Sequence, residues 1–112
     1  MNEYVFFLDL VDDPNGIGEY EKWHQNVWPE VEAQILRSGI TSCRIYRFSN
    51  RLVLIAHSNQ EMNWKKKSIA DLGHPATVEW EKLMWKFQQP IPGSLSGEKW
   101  KMARLIYKLE EG

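Results

Sequence analysis

Residues 41–57, TSCRIYRFSNRLVLIAH, decide the fold. The runs 41–48 and 52–57 read as strands, and Ser49-Asn50-Arg51 between them is only long enough for a turn, so the segment predicts an antiparallel hairpin. A hairpin needs neighbours that bury its apolar face. Upstream, Tyr20, His24, Val27, Val31 and Ile35 follow helical spacing on one face. Pro29 removes a backbone donor and disfavours helix at Trp28, which predicts a kink or a fresh start with Pro29 as first helical residue. Ser38-Gly39 closes that segment. Further upstream, residues 3–10, EYVFFLDL, predict a strand that is apolar on both faces. The run Asp12-Asp13-Pro14-Asn15-Gly16 reads as a turn, with a helix beginning near Ile17 and Glu19 and Glu21 suited to its N-terminus.

Downstream of the hairpin, Ser58 and Glu61 have capping-box spacing and predict a helix through about Leu72, ended by Gly73. Pro75 opens another that runs to Gln89, with Trp80, Leu83, Met84 and Phe87 on its apolar stripe and Trp85 off it. Residues 90–97 carry enough Pro, Gly and Ser for a loop placed to close over a site. Residues 100–108, WKMARLIYK, predict a last strand, with Met102, Arg104 and Ile106 on one face and Ala103, Leu105 and Tyr107 on the other. The resulting order is the split βαβ arrangement of a ferredoxin-like α+β sandwich. Helices cover one face of such a sheet. Strands 4–10 and 52–56 are apolar on both, so a second copy of the sheet is the economical cover, and a homodimer is expected.

Length and composition bound the rest. A chain of 112 residues is one domain, 1–112, and its 14 basic against 15 acidic residues leave no global field to draw it to nucleic acid or anionic lipid. Cys43 stands alone, so neither an intrachain disulfide nor a cysteine zinc cluster can form. The opening run Tyr4 to Leu10 lacks a basic flank and meets Asp12 and Asp13, which fits neither a signal peptide nor a membrane span; a cytoplasmic location is expected. Six tryptophans are many for so small a core, because each indole N–H needs a partner, and this points to a pocket lined by some of them.

Tyr20 and His24 are one helical turn apart and project a phenol and an imidazole into the same volume, a workable acid and base pair. The plainer alternative is a histidine that only hydrogen-bonds beneath a buried aromatic. Trp23 and Trp28 flank the pair, while Trp80, Trp85 and Trp100 come from the other end of the chain; a ring face suits a ligand that is apolar on one side and hydroxylated at its edge, as a sugar is. Trp80 on the stripe reads first as core. Trp85 must pack under a loop or meet a ligand. Glu79 and Glu81 could supply a carboxylate but have the pattern of a solvated face, as does the basic run Lys65, Lys66 and Lys67. His57 and His74 sit where backbone capping is the common role. No HExxH, paired CxxC, P-loop or GxGxxG occurs, which leaves cofactor-free, metal-free chemistry. The RNP1 pattern is missing too, which counts against RNA binding.

With Tyr20, His24, Trp28-Pro29-Glu30 and Gly39 in EYEKWHQNVWPEVEAQILRSGI, and then Ile45-Tyr46, Leu54, Trp64, Trp80 and Met84, the chain resembles the L-rhamnose mutarotase family along nearly its whole length. The resemblance implies a dimeric α+β barrel that interconverts the α and β anomers of a 6-deoxy sugar without a cofactor. It implies that His24 donates and accepts the proton, that Tyr20 contacts the sugar, and that Trp80 is the first of two adjacent sugar-facing tryptophans. Two positions depart: the second tryptophan is Glu81 here, and a substrate-contacting tyrosine of the rhamnose enzymes is Cys43. The stretch LMWKFQQP, 83–90, with Gly97-Glu98-Lys99-Trp100, is similar to the L-fucose mutarotases of the same family, which implies L-fucose ahead of L-rhamnose. The group partnering His24 is then Tyr20, Glu81 or a water, with Trp80, Trp85 and Trp100 holding the ring and Lys99 or Gln88 reading hydroxyls. A dimeric α+β barrel oxygenase acting on an aromatic or polyketide substrate and a non-catalytic sugar-binding protein remain as readings from other classes.

Overall fold

The computed structural model describes residues 1–95 and 97–111. Strand β1 (Asn2–Leu10) leads into helices α1 (Pro14–Trp23) and α2 (Pro29–Arg37), then the hairpin β2 (Ile40–Phe48) and β3 (Arg51–Ser58). Helices α3 (Trp64–Leu72) and α4 (Pro75–Trp85) follow, and two short strands, β4 (Gln88–Gln89) and β5 (Lys101–Met102), close the order. The sheet runs β2-β3-β1-β4, with β5 also on β1. Every pairing is antiparallel. This is the ferredoxin-like split βαβ order expected from the sequence.

The two faces of the sheet differ because alternate residues point opposite ways. Leu10 and Leu52 pack with Tyr20, Val31, Trp80 and Met84 of the helices into one buried cluster. Tyr4 and Phe6, on the same face of β1, meet the edge of Trp64 at 4.9 and 5.1 Å between ring centroids. The other face carries Val5 and Phe7 beside Ile55 and Val53, then Tyr46 and Phe48 of β2, and no helix covers it. Phe48 is 87% exposed.

Helix boundaries follow local chemistry. Asp13 caps α1 by accepting from the Gly16 N–H at 3.1 Å, with Pro14 as first helical residue. The helix therefore starts at Pro14 rather than near Ile17: the residues read as a turn are an N-cap and an N1 proline. Pro29 restarts the chain as α2, as predicted. Gly39, at φ +105°, makes the left-handed turn into β2 that a side chain would strain.

Three further expectations are corrected. The capping box at Ser58 and Glu61 does not form. Ser58 ends β3 with its hydroxyl donating to the Gln60 carbonyl, and Asn63 caps α3 instead by accepting from the Lys66 N–H at 3.0 Å. Helix α4 stops at Trp85, not Gln89, because Gln88 and Gln89 pair with Leu10 and Asp9 of β1. The last strand is Lys101–Met102 rather than 100–108. After the Ala103 N–H reaches the Val5 carbonyl at 2.7 Å, the chain leaves the sheet, and Leu105, Ile106 and Tyr107 are exposed. Alternation alone cannot hold a strand where no neighbouring edge takes its hydrogen bonds. The loop expected over 90–97 is present, apart from Ser96, which lies outside the described residues.

Asn63→Ala should cost about 1 kcal/mol in a urea melt, whereas Glu61→Ala should stay within about 0.5 kcal/mol of the parent. The reverse ranking would restore the capping box.

Candidate active site

Between the helix-covered face of the sheet and helices α2, α3 and α4 lies a cavity of about 670 Å³, within the range of roughly 300–1,000 Å³ usual for small-molecule sites. Phe6, Cys43, Leu54 and Ala56 of the sheet form its base. Trp64 of α3, Trp80 and Trp85 of α4, and Trp100 beyond the 90–97 loop bring four indoles to its walls. Charge enters at Glu81 with Lys99, at Lys67 with Asp71, and at Lys82.

Trp80 is core and cavity wall at once. It is 5% exposed, and Trp28 and Trp23 meet it edge-on at 5.1 and 6.4 Å between centroids. Trp85 packs under the segment that carries Lys99, whose Nζ stands 5.1 Å from the indole centroid and 3.6 Å from Glu81 Oε2. The ammonium thus joins a ring face to a carboxylate, an arrangement favoured by the ring quadrupole. Trp85 thus packs under a chain segment, the first of its two expected roles, and it also lines the cavity.

Tyr20 and His24 stack as their spacing predicts, 4.5 Å apart, and the imidazole meets Trp80 at 5.6 Å. His24 Nδ1 lies 2.9 Å from the Tyr20 carbonyl oxygen. A carbonyl can only accept, so Nδ1 carries a proton, and in the neutral tautomer that this fixes, the lone pair is on Nε2. The Tyr20 hydroxyl accepts from Gln88 Nε2 at 3.2 Å. Burial pushes this phenol up to about 12; the Gln88 hydrogen bond opposes the rise, and Glu81 and Cys43 add to it. Tyr20 is therefore a neutral phenol near neutral pH, able to donate a hydrogen bond and unsuited to act as a base.

Of the residues expected in the site, Trp80, Glu81, Trp85, Lys99 and Trp100 share the cavity. Tyr20, His24 and Gln88 do not line it; they form an adjoining layer joined to it through Trp80. The Oε1 of Gln88 is buried and finds no hydrogen-bond partner among the described residues. Glu79 pairs with Lys82 on an exposed face, as its pattern suggested. His74 caps α4, accepting from the Thr77 N–H at 3.2 Å. His57 is not a backbone cap: its ring bonds Glu3 and Ser42 on the uncovered sheet face.

The reading of Lys67 as solvated also needs correction. Lys67 and Asp71 form an i,i+4 pair at 2.5 Å whose side chains are only 18% and 23% exposed, and both line the cavity with Gln34. Their spacing was visible in the chain, but which face of α3 turns inward depends on the docking of that helix. Burial pushes the Cys43 thiol up, and the nearby Lys67 ammonium partly offsets this. Among the described residues no three His, Cys, Asp or Glu side chains converge to hold a metal ion, and no helix is long and apolar enough to cross a membrane.

Residues 3–109 match the L-rhamnose mutarotase family. An L-fucose mutarotase of Xanthomonas campestris pv. campestris is 41% identical over 99% of this chain and 90% of its own length. In three dimensions an L-rhamnose mutarotase from Formosa agariphila superposes with a TM-score of 0.71 at 14% identity, covering 98% of this chain and 100% of that one. A dimeric ferredoxin-like protein from an uncultured marine organism superposes with a TM-score of 0.62 at 10% identity, covering 97% and 98%.

The buried phenol has a consequence for stability. Because the folded state holds the Tyr20 proton to about pH 12 while an unfolded tyrosine releases it near 10, stability should fall as pH rises across that window. The loss should be on the order of 2 kcal/mol in urea melts, and Tyr20→Phe should flatten the slope. An equal slope in the variant would show that the phenol is not held neutral.

Proposed function

The chain belongs to the L-rhamnose mutarotase family, and from that membership we propose how its residues turn over a sugar and which sugar they take. It is a sugar mutarotase, an isomerase, which selects among the enzymatic and binding readings left open by the sequence. The substrate in this proposal is L-fucose. Support comes from the 41% identical L-fucose mutarotase and from Glu81 and Cys43, the two positions at which the resemblance implies a departure from the rhamnose enzymes. L-Rhamnose is the runner-up.

Opening a pyranose needs one proton delivered to the ring oxygen and one removed from the anomeric hydroxyl, and both oxygens sit on the same carbon. Trp80 supplies a flat apolar face for the ring. His24, in its protonated form, gives its Nε2 proton to the ring oxygen and returns to the neutral tautomer that the Tyr20 carbonyl favours. Glu81 takes the hydroxyl proton, with Lys99 3.6 Å away to hold its charge. Rotation about the C1–C2 bond and reclosure by the reverse transfers yield the other anomer. Tyr20 acts as a neutral donor and as the floor beneath the imidazole. The carbonyl-fixed tautomer of His24, set against Trp80, is the observation that carries this reading.

A second reading rests on the cavity itself. Glu81 stands on its wall and His24 does not, so Glu81 could carry the proton traffic through a water while His24 holds Trp80 in place. Lys99, Trp85, Trp100 and Gln88 orient the sugar in either case.

The assembly proposed is a homodimer in which two uncovered sheet faces meet to form the barrel. Its support is the apolar set Val5, Phe7, Tyr46, Phe48, Val53 and Ile55 on a face that no helix of this chain covers, together with the dimeric ferredoxin-like neighbour. A single mutarotase domain over 1–112 working in the cytoplasm completes the proposal, the latter consistent with one free cysteine.

His24→Ala should keep its far-ultraviolet circular dichroism and lower anomer exchange on L-fucose by about 100-fold or more, read by saturation-transfer NMR. A rate within a few fold of the parent, with Glu81→Gln reduced about 100-fold, would instead select the second reading. Val53→Lys should shift the sedimenting species from dimer to monomer, and an unchanged dimer would place the interface elsewhere.

A further inference from the structure

The Lys67–Asp71 pair is unlike an ordinary helical ion pair on a wet surface. It lines the cavity together with Gln34 of α2, and the carboxylate is held from two sides. Asp71 Oδ2 accepts from Lys67 Nζ at 2.5 Å and Oδ1 from Gln34 Nε2 at 3.2 Å. Gln34 is itself 8% exposed and fixed by Arg37, whose Nη2 donates to Oε1 at 2.9 Å. Each carboxylate oxygen keeps a second lone pair, and the ammonium keeps two N–H groups. The cavity wall therefore offers a fixed acceptor beside a fixed donor, a match for two neighbouring hydroxyls of one ring: one donates to Asp71 while the other accepts from Lys67.

Lys67 and Asp71 line the same cavity as Cys43, Trp80 and Glu81, so a ring held at Trp80 and Glu81 shares one site with the pair. With the anomeric carbon beside Glu81 and Trp80, the groups across the ring are those on C3 and C4, since C4 is the ring atom opposite C1. In L-fucose the C4 hydroxyl is axial and cis to that on C3; in 6-deoxy-L-glucose, its C4 epimer, it is equatorial. We propose that Lys67 and Asp71 are specificity-determining residues that read the cis O3–O4 pair of a galacto-configured 6-deoxyhexose. The proposal rests on the mutarotase reading above and goes beyond it by assigning the sugar's configuration to residues outside the acid and base set.

The test compares anomer exchange on L-fucose and 6-deoxy-L-glucose for the parent, Asp71→Asn and Lys67→Met, with concentration series to separate kcat from KM. The parent should prefer L-fucose, and each variant should lose about tenfold of that preference, mainly through a raised KM for L-fucose. Should Asp71→Asn fail to fold by circular dichroism, Lys67→Met decides, because it leaves the Asp71–Gln34 bond in place. A parent that treats the two sugars alike, or variants that slow both equally, would overturn the assignment while leaving the mutarotase reading intact. A parent that accelerates neither these sugars nor L-rhamnose would overturn the functional reading and the assignment with it.

Discussion

One indole belongs to two structures at once. Trp80 is almost fully buried among Trp23, Trp28 and the core of the sheet, yet its remaining surface is a wall of the cavity. Packed interiors resist displacement, so the ring cannot shift without disturbing neighbours on α1 and at the start of α2. The position of the proposed sugar platform is therefore inherited from the packing of the whole domain. His24 takes its place from the same contact, with one nitrogen tied to the backbone of α1 and its ring edge against Trp80. The adjoining layer of Tyr20, His24 and Gln88 and the cavity are registered to each other through Trp80.

Much of the architecture was legible because its signals are local. The hairpin at 41–57 and the restart at Pro29 depend on residues next to each other, and both form as read. The stacking of Tyr20 on His24 follows from one turn of helix. What failed to be legible depends on distant partners. Residues 103–108 alternate like a strand but find no edge beyond the Ala103 bond to Val5, and Asn63 outcompetes Ser58 because β3 claims the serine. The inward face of α3 could not be read either: Lys67 belongs to a basic run in the chain and to a cavity in the fold.

The site combines an aromatic box with a small number of polar groups, and their states are set by different causes. Tyr20 is kept neutral by burial, His24 has its tautomer chosen by a carbonyl, and Glu81 and Asp71 each have a lysine beside them. Division of this kind suits the proposed reaction, which moves protons between two oxygens of a neutral sugar, since the donor and the acceptor must differ while the apolar side of the ring can rest on an indole.

The fourth lane of the sheet is broken in two, with Gln88–Gln89 on one part of β1 and Lys101–Met102 on another. The segment between them carries Lys99 and Trp100 and is clasped at both ends by the same strand. Its length can then change by insertion or deletion without disturbing the register of any long strand. Because Lys99 and Trp100 stand on the cavity wall, such a change would reshape that wall while the long strands keep their pairing.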